Sequence, residues 1–354
     1  MNRRISRCGS GARCAVLLLL FALCIAGAAC ARKVEPGRVV IYSPHGKELL
    51  GELEKLFEAK YPGTNVQWLD MGSQEVVDRL RAEKANPQAD IWFGAPNTMF
   101  SQAGREGLLQ SYRPTWADQV PPEARGEGDF WYGTYFTPEV IGFNVKAVQA
   151  ETVPKDWDDL LHPRWRKRLI VRDPVASGTI RTIFGAILFR YREQGNPEKG
   201  FDWLRQLDAN TKEYAANSTL MFQKMAKGEA DITLWNMPDM ELQREIYHYP
   251  FDYVFPASGT PFLTEGIAVV RSGRNPEWAH RYYEFVTSLE SLELAARKYF
   301  RIPARGDVPP EQLPERIARA RNQVQPMKLD WKVLEEETAG WMKRWENEIK
   351  GAGQ

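Results

Sequence analysis

The chain has 354 residues, with 47 lysines and arginines against 46 aspartates and glutamates and a formal net charge of +1. Dropping residues 1–29 leaves 43 basic and 46 acidic residues, a net charge of −3, and this balance argues against the basic excess of a nucleic-acid footprint. The 325 residues that remain exceed one comfortable hydrophobic core, so two lobes are expected.

Arg3, Arg4, Arg7 and Arg13 precede an uncharged run over 15–29 that ends in small residues before Cys30. This is the pattern of a bacterial export signal. At 15 residues the run is short of the ~20 that a helix needs to span a bilayer. The four cysteines, Cys8, Cys14, Cys24 and Cys30, lie in or at the edge of this segment, so cleavage before Cys30 leaves one thiol and no internal disulfide. A lone cysteine after Gly27-Ala28-Ala29 resembles the lipobox of bacterial lipoproteins, with Gly27 where leucine is usual. That resemblance implies lipidation at Cys30 and a membrane-anchored protein outside the cytoplasm; cleavage after Ala31 is the alternative.

Residues 39–42 form a short β-branched run that meets Ser43-Pro44-His45-Gly46 and then a helical pattern with Leu49, Leu53, Leu56 and Phe57 on one face. The strand–loop–helix unit recurs. Residues 65–69 lead through Gly72-Ser73-Gln74 to Val76, Val77 and Leu80, and Ile91-Trp92-Phe93 leads through Gly94-Ala95-Pro96-Asn97 to a helix ending near Gly107. Strands alternating with helices imply a mostly parallel, doubly wound α/β sheet. The polar stretch 116–129 gives way to extended character from Gly133 to Asn144, read as a first crossing between lobes.

The second lobe repeats the logic. Leu169-Ile170-Val171 is a strand, 174–179 a loop, and Ile180, Ile183, Phe184, Ile187, Leu188 and Tyr191 mark the clearest helical period in the chain. Residues 213–216, then Asn217-Ser218-Thr219, start another unit whose helix stops at Gly228 before a strand over 231–235. The return crossing falls at 252–255 with 264–270. The predicted organisation is a first lobe of 37–138 plus 259–300, a second lobe of 139–258 and a helical segment over 301–354.

In a doubly wound sheet, chemistry gathers where strands end and helices begin. First-turn amides there lack internal partners and suit an anion or an oxygen-rich ligand. Here those loops carry Ser43 and His45, Ser73 and Gln74, Ser177-Gly178-Thr179, and Asn217 and Ser218, while Trp235-Asn236 closes a second-lobe strand. Plain N-capping is the competing account of each serine, threonine and asparagine. Four such loops, two from each lobe, together with Gly178 as a point of close ligand approach, favour a shared binding cleft. No His-Glu-x-x-His, Cys-x-x-Cys, phosphate-cradling Gly-rich loop with lysine or Gly-x-Ser-x-Gly elbow occurs. A secreted enzyme would need a pair such as Ser177 and His45, which fall on opposite lobes.

The stretches 39–48 (VVIYSPHGKE), 80–90 (LRAEKANPQAD), 173–179 (DPVASGT), 227–232 (KGEADI), 264–270 (TEGIAVV) and 275–279 (NPEWA) resemble the extracellular solute-binding proteins of bacterial ATP-driven importers. The matching branch includes ferric-iron, phosphonate and phosphosugar binders. The resemblance implies two α/β lobes joined by two crossing strands, the type II periplasmic-binding-protein architecture, closing by a hinge on a small molecule. It also implies delivery to a membrane permease with its ATPase, a monomer, no cofactor and no catalysis; a sensory lipoprotein using the same clamp is the alternative. Ferric-iron members hold metal through adjacent second-lobe tyrosines, where this chain reads Trp235-Asn236-Met237. If iron were the ligand, His45, Glu75 and Glu265, with Tyr42 and Tyr135, would have to supply it. Loss of phenolates disfavours so hard a cation. The hydroxyl-rich, glycine-bearing loops favour instead an organic anion held by amides and hydroxyls: a phosphonate, a phosphosugar or a carboxylate.

Overall fold

The computed structural model describes residues 37–352, so the export signal and Cys30 lie outside the described residues. Strand β1 (Arg38–Ser43) shows why the first units wind on both faces of a sheet. Val39 and Ile41 enter one apolar cluster, while Val40 and Tyr42 enter another on the opposite side. A strand covered on both faces must be apolar nearly throughout. Helix α1 (Lys47–Lys60) leads to β2 (Asn65–Asp70), α2 (Ser73–Ala82) to β3 (Ile91–Pro96), and α3 (Asn97–Arg105) to the two-residue β4 (Leu109–Gln110). β1 pairs in parallel with both β2 and β3, with Ser43 opposite Asp70.

Strand β5 (Tyr132–Asn144) is the joint of the molecule: its first half belongs to this sheet and its second half to the next. The second half of the fold follows as β6 (Leu169–Arg172), α4 (Gly178–Glu193), α5 (Pro197–Asn210), β7 (Thr211–Ala215), α6 (Ser218–Ala226), β8 (Ile232–Asn236), α7 (Met237–Glu245) and β9 (Phe251–Val254). Its core is a single cluster containing Ile180, Ile183, Phe184 and Ile187 of α4, the helix with the clearest period in the sequence. The chain returns in two strands, close to the two segments read from the sequence. β9 pairs with Ile141–Asn144 of β5, and β10 (Phe262–Val270) pairs with the first half of β5 and with β3. The strand order is β2-β1-β3-β10-β5-β8-β6-β7, so β10 wedges between β3 and β5.

Helices α8 (Pro276–Val286) and α9 (Leu289–Tyr299) complete the first half. The segment from 301 onward, expected to be helical, starts instead as the short strand β11 (Ile302–Pro303), paired with Phe136 and Tyr135 of β5. The cause is local: Phe300 adopts a left-handed conformation (φ 57°) that ends α9 and turns the chain into the sheet. Two further helices follow, α10 (Glu315–Gln323) and α11 (Trp331–Glu348). They pack mainly on the second half, where Ile317, Met342 and Trp345 are fully buried. Arg105 of α3 forms an ion pair with Glu335 of α11, tying the C-terminal helix to the first half as well.

Candidate functional site

Six strands, β1, β2 and β3 in one half and β6, β7 and β8 in the other, end at one cleft, and the helix following five of them starts there. This is the carboxyl-edge placement expected of doubly wound sheets. The cavity between the halves has a volume of about 670 Å3. Its walls include His45, Asp70, Ser73 and Glu75 from one half and Arg172, Ser177, Asn217 and Asn236 from the other.

One end of the cavity is rich in donors. Arg172 terminates β6 and is 6 % exposed, its guanidinium donating to the carbonyls of Ala215 and Ala216. Burial draws its pKa below the usual value, while Glu75, Asp173 and Asp70 oppose that shift. Around it lie the N-termini of α2, α4 and α6. Three cleft residues do act as helix caps: Ser177 accepts from the Ile180 amide at 3.3 Å, Asn217 from Leu220 at 2.8 Å and Asn236 from Asp239 at 2.9 Å. Capping occupies only one amide in each case, and the Gly178-Thr179 and Ser218-Thr219 turns still line the cavity. On α2 the cap is Glu75, whose carboxylate accepts from the Gly72 amide at 2.6 Å.

The other end is built from side chains. Asp239 is held by three donors: Trp235 Nε1 at 2.9 Å, Asn236 Nδ2 at 3.0 Å and Arg301 Nη2 at 2.9 Å. Arg301 Nη1 also lies 3.6 Å from Glu265 Oε1, and His45 Nε2 lies 3.7 Å from Glu265 Oε2. Burial raises the Glu265 pKa above the usual carboxylate range, with Arg301 pulling the other way. Burial, then the charge of Arg301, pushes His45 well below its ordinary value, so it is a neutral imidazole. His45 Nε2, Glu265 Oε2 and Arg301 Nε have no hydrogen-bond partner, an unusual density of open polar atoms for a buried region. The close fit of His45 against β3 explains Gly94 (φ 90°): a Cβ there would lie 2.7 Å from His45 Nε2.

Of the residues singled out in the sequence, His45, Ser73, Ser177, Gly178, Thr179, Asn217, Ser218, Trp235 and Asn236 line the cavity, as do Glu75 and Glu265. Ser43 does not. Its hydroxyl donates to the Phe93 carbonyl at 2.5 Å and accepts from the His45 amide at 3.0 Å, fixing the loop from beneath. Gln74 lies on the rim, where its side chain accepts from Arg181 Nη1 at 2.6 Å and its amide reaches the Ala176 carbonyl. Gly178 makes room for the opposite half: a Cβ would come within 2.7 Å of Pro96 and 2.8 Å of the Ser73 hydroxyl. Tyr42 and Tyr135 are absent from the cavity walls, and the Tyr42 hydroxyl donates to Glu83. Among the described residues no three histidine, cysteine or acidic side chains group as a metal site.

Sequence reasoning missed Arg172, Asp70, Asp239 and Arg301. The first two end strands beside loops already suspected, so strand-end position was a usable signal for them. Asp239 reads as an ordinary first-turn acid, and Arg301 reaches the site only through the pairing of β11 with β5.

Two wound halves closing on a polar cavity at their strand ends define a type II periplasmic binding protein. The chain belongs to the bacterial extracellular solute-binding proteins, whose family model matches residues 86–330. It is 24% identical over 321 residues to the probable ABC transporter periplasmic-binding protein y4fP of Sinorhizobium fredii, covering 88% of this chain and 86% of that one. The periplasmic binding protein AfuA from Actinobacillus pleuropneumoniae, solved with exogenous fructose-6-phosphate bound, superposes with a TM-score of 0.79 and 26% identity over 89% of this chain and 99% of that one. The ferric binding protein from Campylobacter jejuni shares the fold, with a TM-score of 0.72 and 20% identity over 87% and 98% of the two chains. Proteins of this family bind solutes outside the cytoplasm for an ATP-driven permease rather than act as enzymes. Among the described residues no helix is long and apolar enough to cross a membrane.

Proposed function

We propose that this protein captures a small phosphorylated or phosphonylated organic anion, a phosphosugar or phosphonate ahead of a plain carboxylate, and passes it to a membrane permease with its ATPase. The observation that carries this reading is the meeting of a buried, partly desolvated Arg172 with the first turns of three helices drawn from both halves. Helix starts and a guanidinium are complementary to a tetrahedral oxyanion, and in a site excluded from water each is worth more than at a surface. The Glu265–Asp239–Arg301 end supplies acceptors and donors for hydroxyl or amine groups on the rest of the ligand. The fructose-6-phosphate in AfuA, at 26% identity, supports the phosphosugar member of this class.

Contacts from both halves exist together only in the closed form, so binding shifts an open–closed equilibrium by that difference in affinity. The export pattern and Cys30 support a membrane-anchored lipoprotein in the periplasm or otherwise outside the cytoplasm. Among the described residues the four cavity carboxylates, Asp70, Glu75, Asp239 and Glu265, do not gather as a metal set, which favours the organic anion over free ferric iron. The test is native mass spectrometry of purified protein, followed by a melting-shift panel of sugar phosphates, phosphonates, carboxylates and ferric salts. Stabilisation by the phosphorylated compounds is expected; stabilisation by ferric salts alone would sink the anion reading.

A further inference from the structure

The main cavity does not end at Asp239. A second chamber of about 240 Å3 continues past it between α1 and the α6–α7 face, and eight wall residues are common to both, Trp235, Asp239 and Arg301 among them. At liquid density this is room for about eight waters, the scale of one sugar ring. Its own walls differ in character from those of the main cavity. Tyr247 and Tyr249 stack at 5.8 Å between ring centroids, Tyr299 and Phe222 add further aromatic surface, and Glu48 and Gln243 provide polar groups between them. Aromatic faces beside carboxylate and amide groups match the two surfaces of a pyranose: rings cover its C–H face, and polar atoms take its hydroxyls.

The far end is spanned by one solvent-exposed bridge. The Tyr247 hydroxyl donates to the Glu48 carboxylate, joining the loop after α7 to the start of α1 across the cleft. Burial and this bond push the Tyr247 pKa up to about 12, so the hydroxyl stays a donor at every physiological pH.

Resting on the reading of the main cavity as an oxyanion site, we propose that the second chamber is a subsite for another sugar ring. The ligand class is then a phosphorylated disaccharide or glycoside, with phosphate at the Arg172 end, one ring beside Glu265 and Asp239, and the second ring against Tyr247 and Tyr249. Calorimetric titration of the full chain with glucose 6-phosphate and trehalose 6-phosphate tests this, because the first compound is half of the second. The expected result is at least about tenfold tighter binding of trehalose 6-phosphate. Gln243→Trp, which fills the chamber while keeping the backbone carbonyl that accepts from Tyr249, is expected to abolish that preference and leave glucose 6-phosphate within twofold. Tyr249→Ala provides a second variant should the first fail to fold, with a melting curve to check each. Equal affinity for the two sugars, or a Gln243→Trp variant that weakens both alike, overturns the subsite. Binding of glucose 6-phosphate alone removes the subsite but keeps the oxyanion site. Binding of neither removes both.

Discussion

At the Arg172 end of the cleft the ligand-facing groups are largely backbone amides at the starts of α2, α4 and α6, whereas at the Glu265 end they are side chains rising from β10, α7 and residue 301. Amides at a helix start are aimed by the whole helix and cannot be redirected by a single substitution. Side chains braced by one another, as Asp239 is by Trp235, Asn236 and Arg301, can be exchanged one at a time. The difference suggests a division of labour. The fixed end recognises a chemical class, and the adjustable end selects a member of it.

Four substitutions or conditions bear on this division. The largest effect is expected from Arg172→Ala, since truncating one partner of a buried charge pair costs about 2–5 kcal/mol, which is at least about 30-fold in the Kd of a sugar phosphate. Calorimetry that finds the affinity intact would move the oxyanion elsewhere. Next, Glu265→Gln is expected to weaken a sugar phosphate by about tenfold while leaving inorganic phosphate untouched; equal losses for both would erase the distinction between the ends. Gly178→Ala places a methyl against Pro96 and Ser73 of the opposite half, so the closed form should become harder to reach. A several-fold weaker Kd and a larger radius of gyration with ligand, measured by small-angle scattering, are expected. An unchanged radius would show that the halves close without that approach.

The smallest effect concerns pH. The Asp70 pKa is pushed up to about 6 by burial and by the charges of Asp239, Glu48 and Glu75, against the pull of Arg172. Above pH 6 Asp70 is an anion on the cavity wall and opposes an anionic ligand; below pH 6 it is neutral and the opposition ends. Affinity for a sugar sulfate, whose own charge is constant over this range, should therefore rise a few-fold from pH 7.5 to 5.5. Asp70→Asn should flatten the profile, and a profile that stays steep would assign the titration to another group.

The strand–helix alternation was legible because strands covered on both faces must be apolar runs, and β1, β3 and β6 are. The cleft loops were legible because helix starts follow strand ends in every such unit. Ser43 and Gln74 were not separable from their neighbours, since a loop sequence does not say whether a side chain points into the gap, beneath it or along its rim. Asp239 and Arg301 were beyond reach for a different reason. Their positions depend on contacts across 62 residues of chain, set by a left-handed Phe300 that no periodicity announces. Gly178 was read as a point of close ligand approach; the surface that approaches it in the structure is Pro96 and Ser73 of the opposite half, which its sequence neighbours do not announce.

The insertion of β10 between β3 and β5 has a consequence for how the molecule is made. Until residue 270 is available, the first half has an empty slot in the middle of its sheet, with unpaired amides and carbonyls along both β3 and β5. The intervening residues, which include every strand from β6 to β9, can assemble before that slot is filled. A polypeptide threaded outward from its N-terminus would thus close its first sheet only after the strands of the second half have been made, and would complete the second-half core last, with α10 and α11. Truncation anywhere before Val270 should leave a sticky, protease-sensitive product rather than a smaller stable domain.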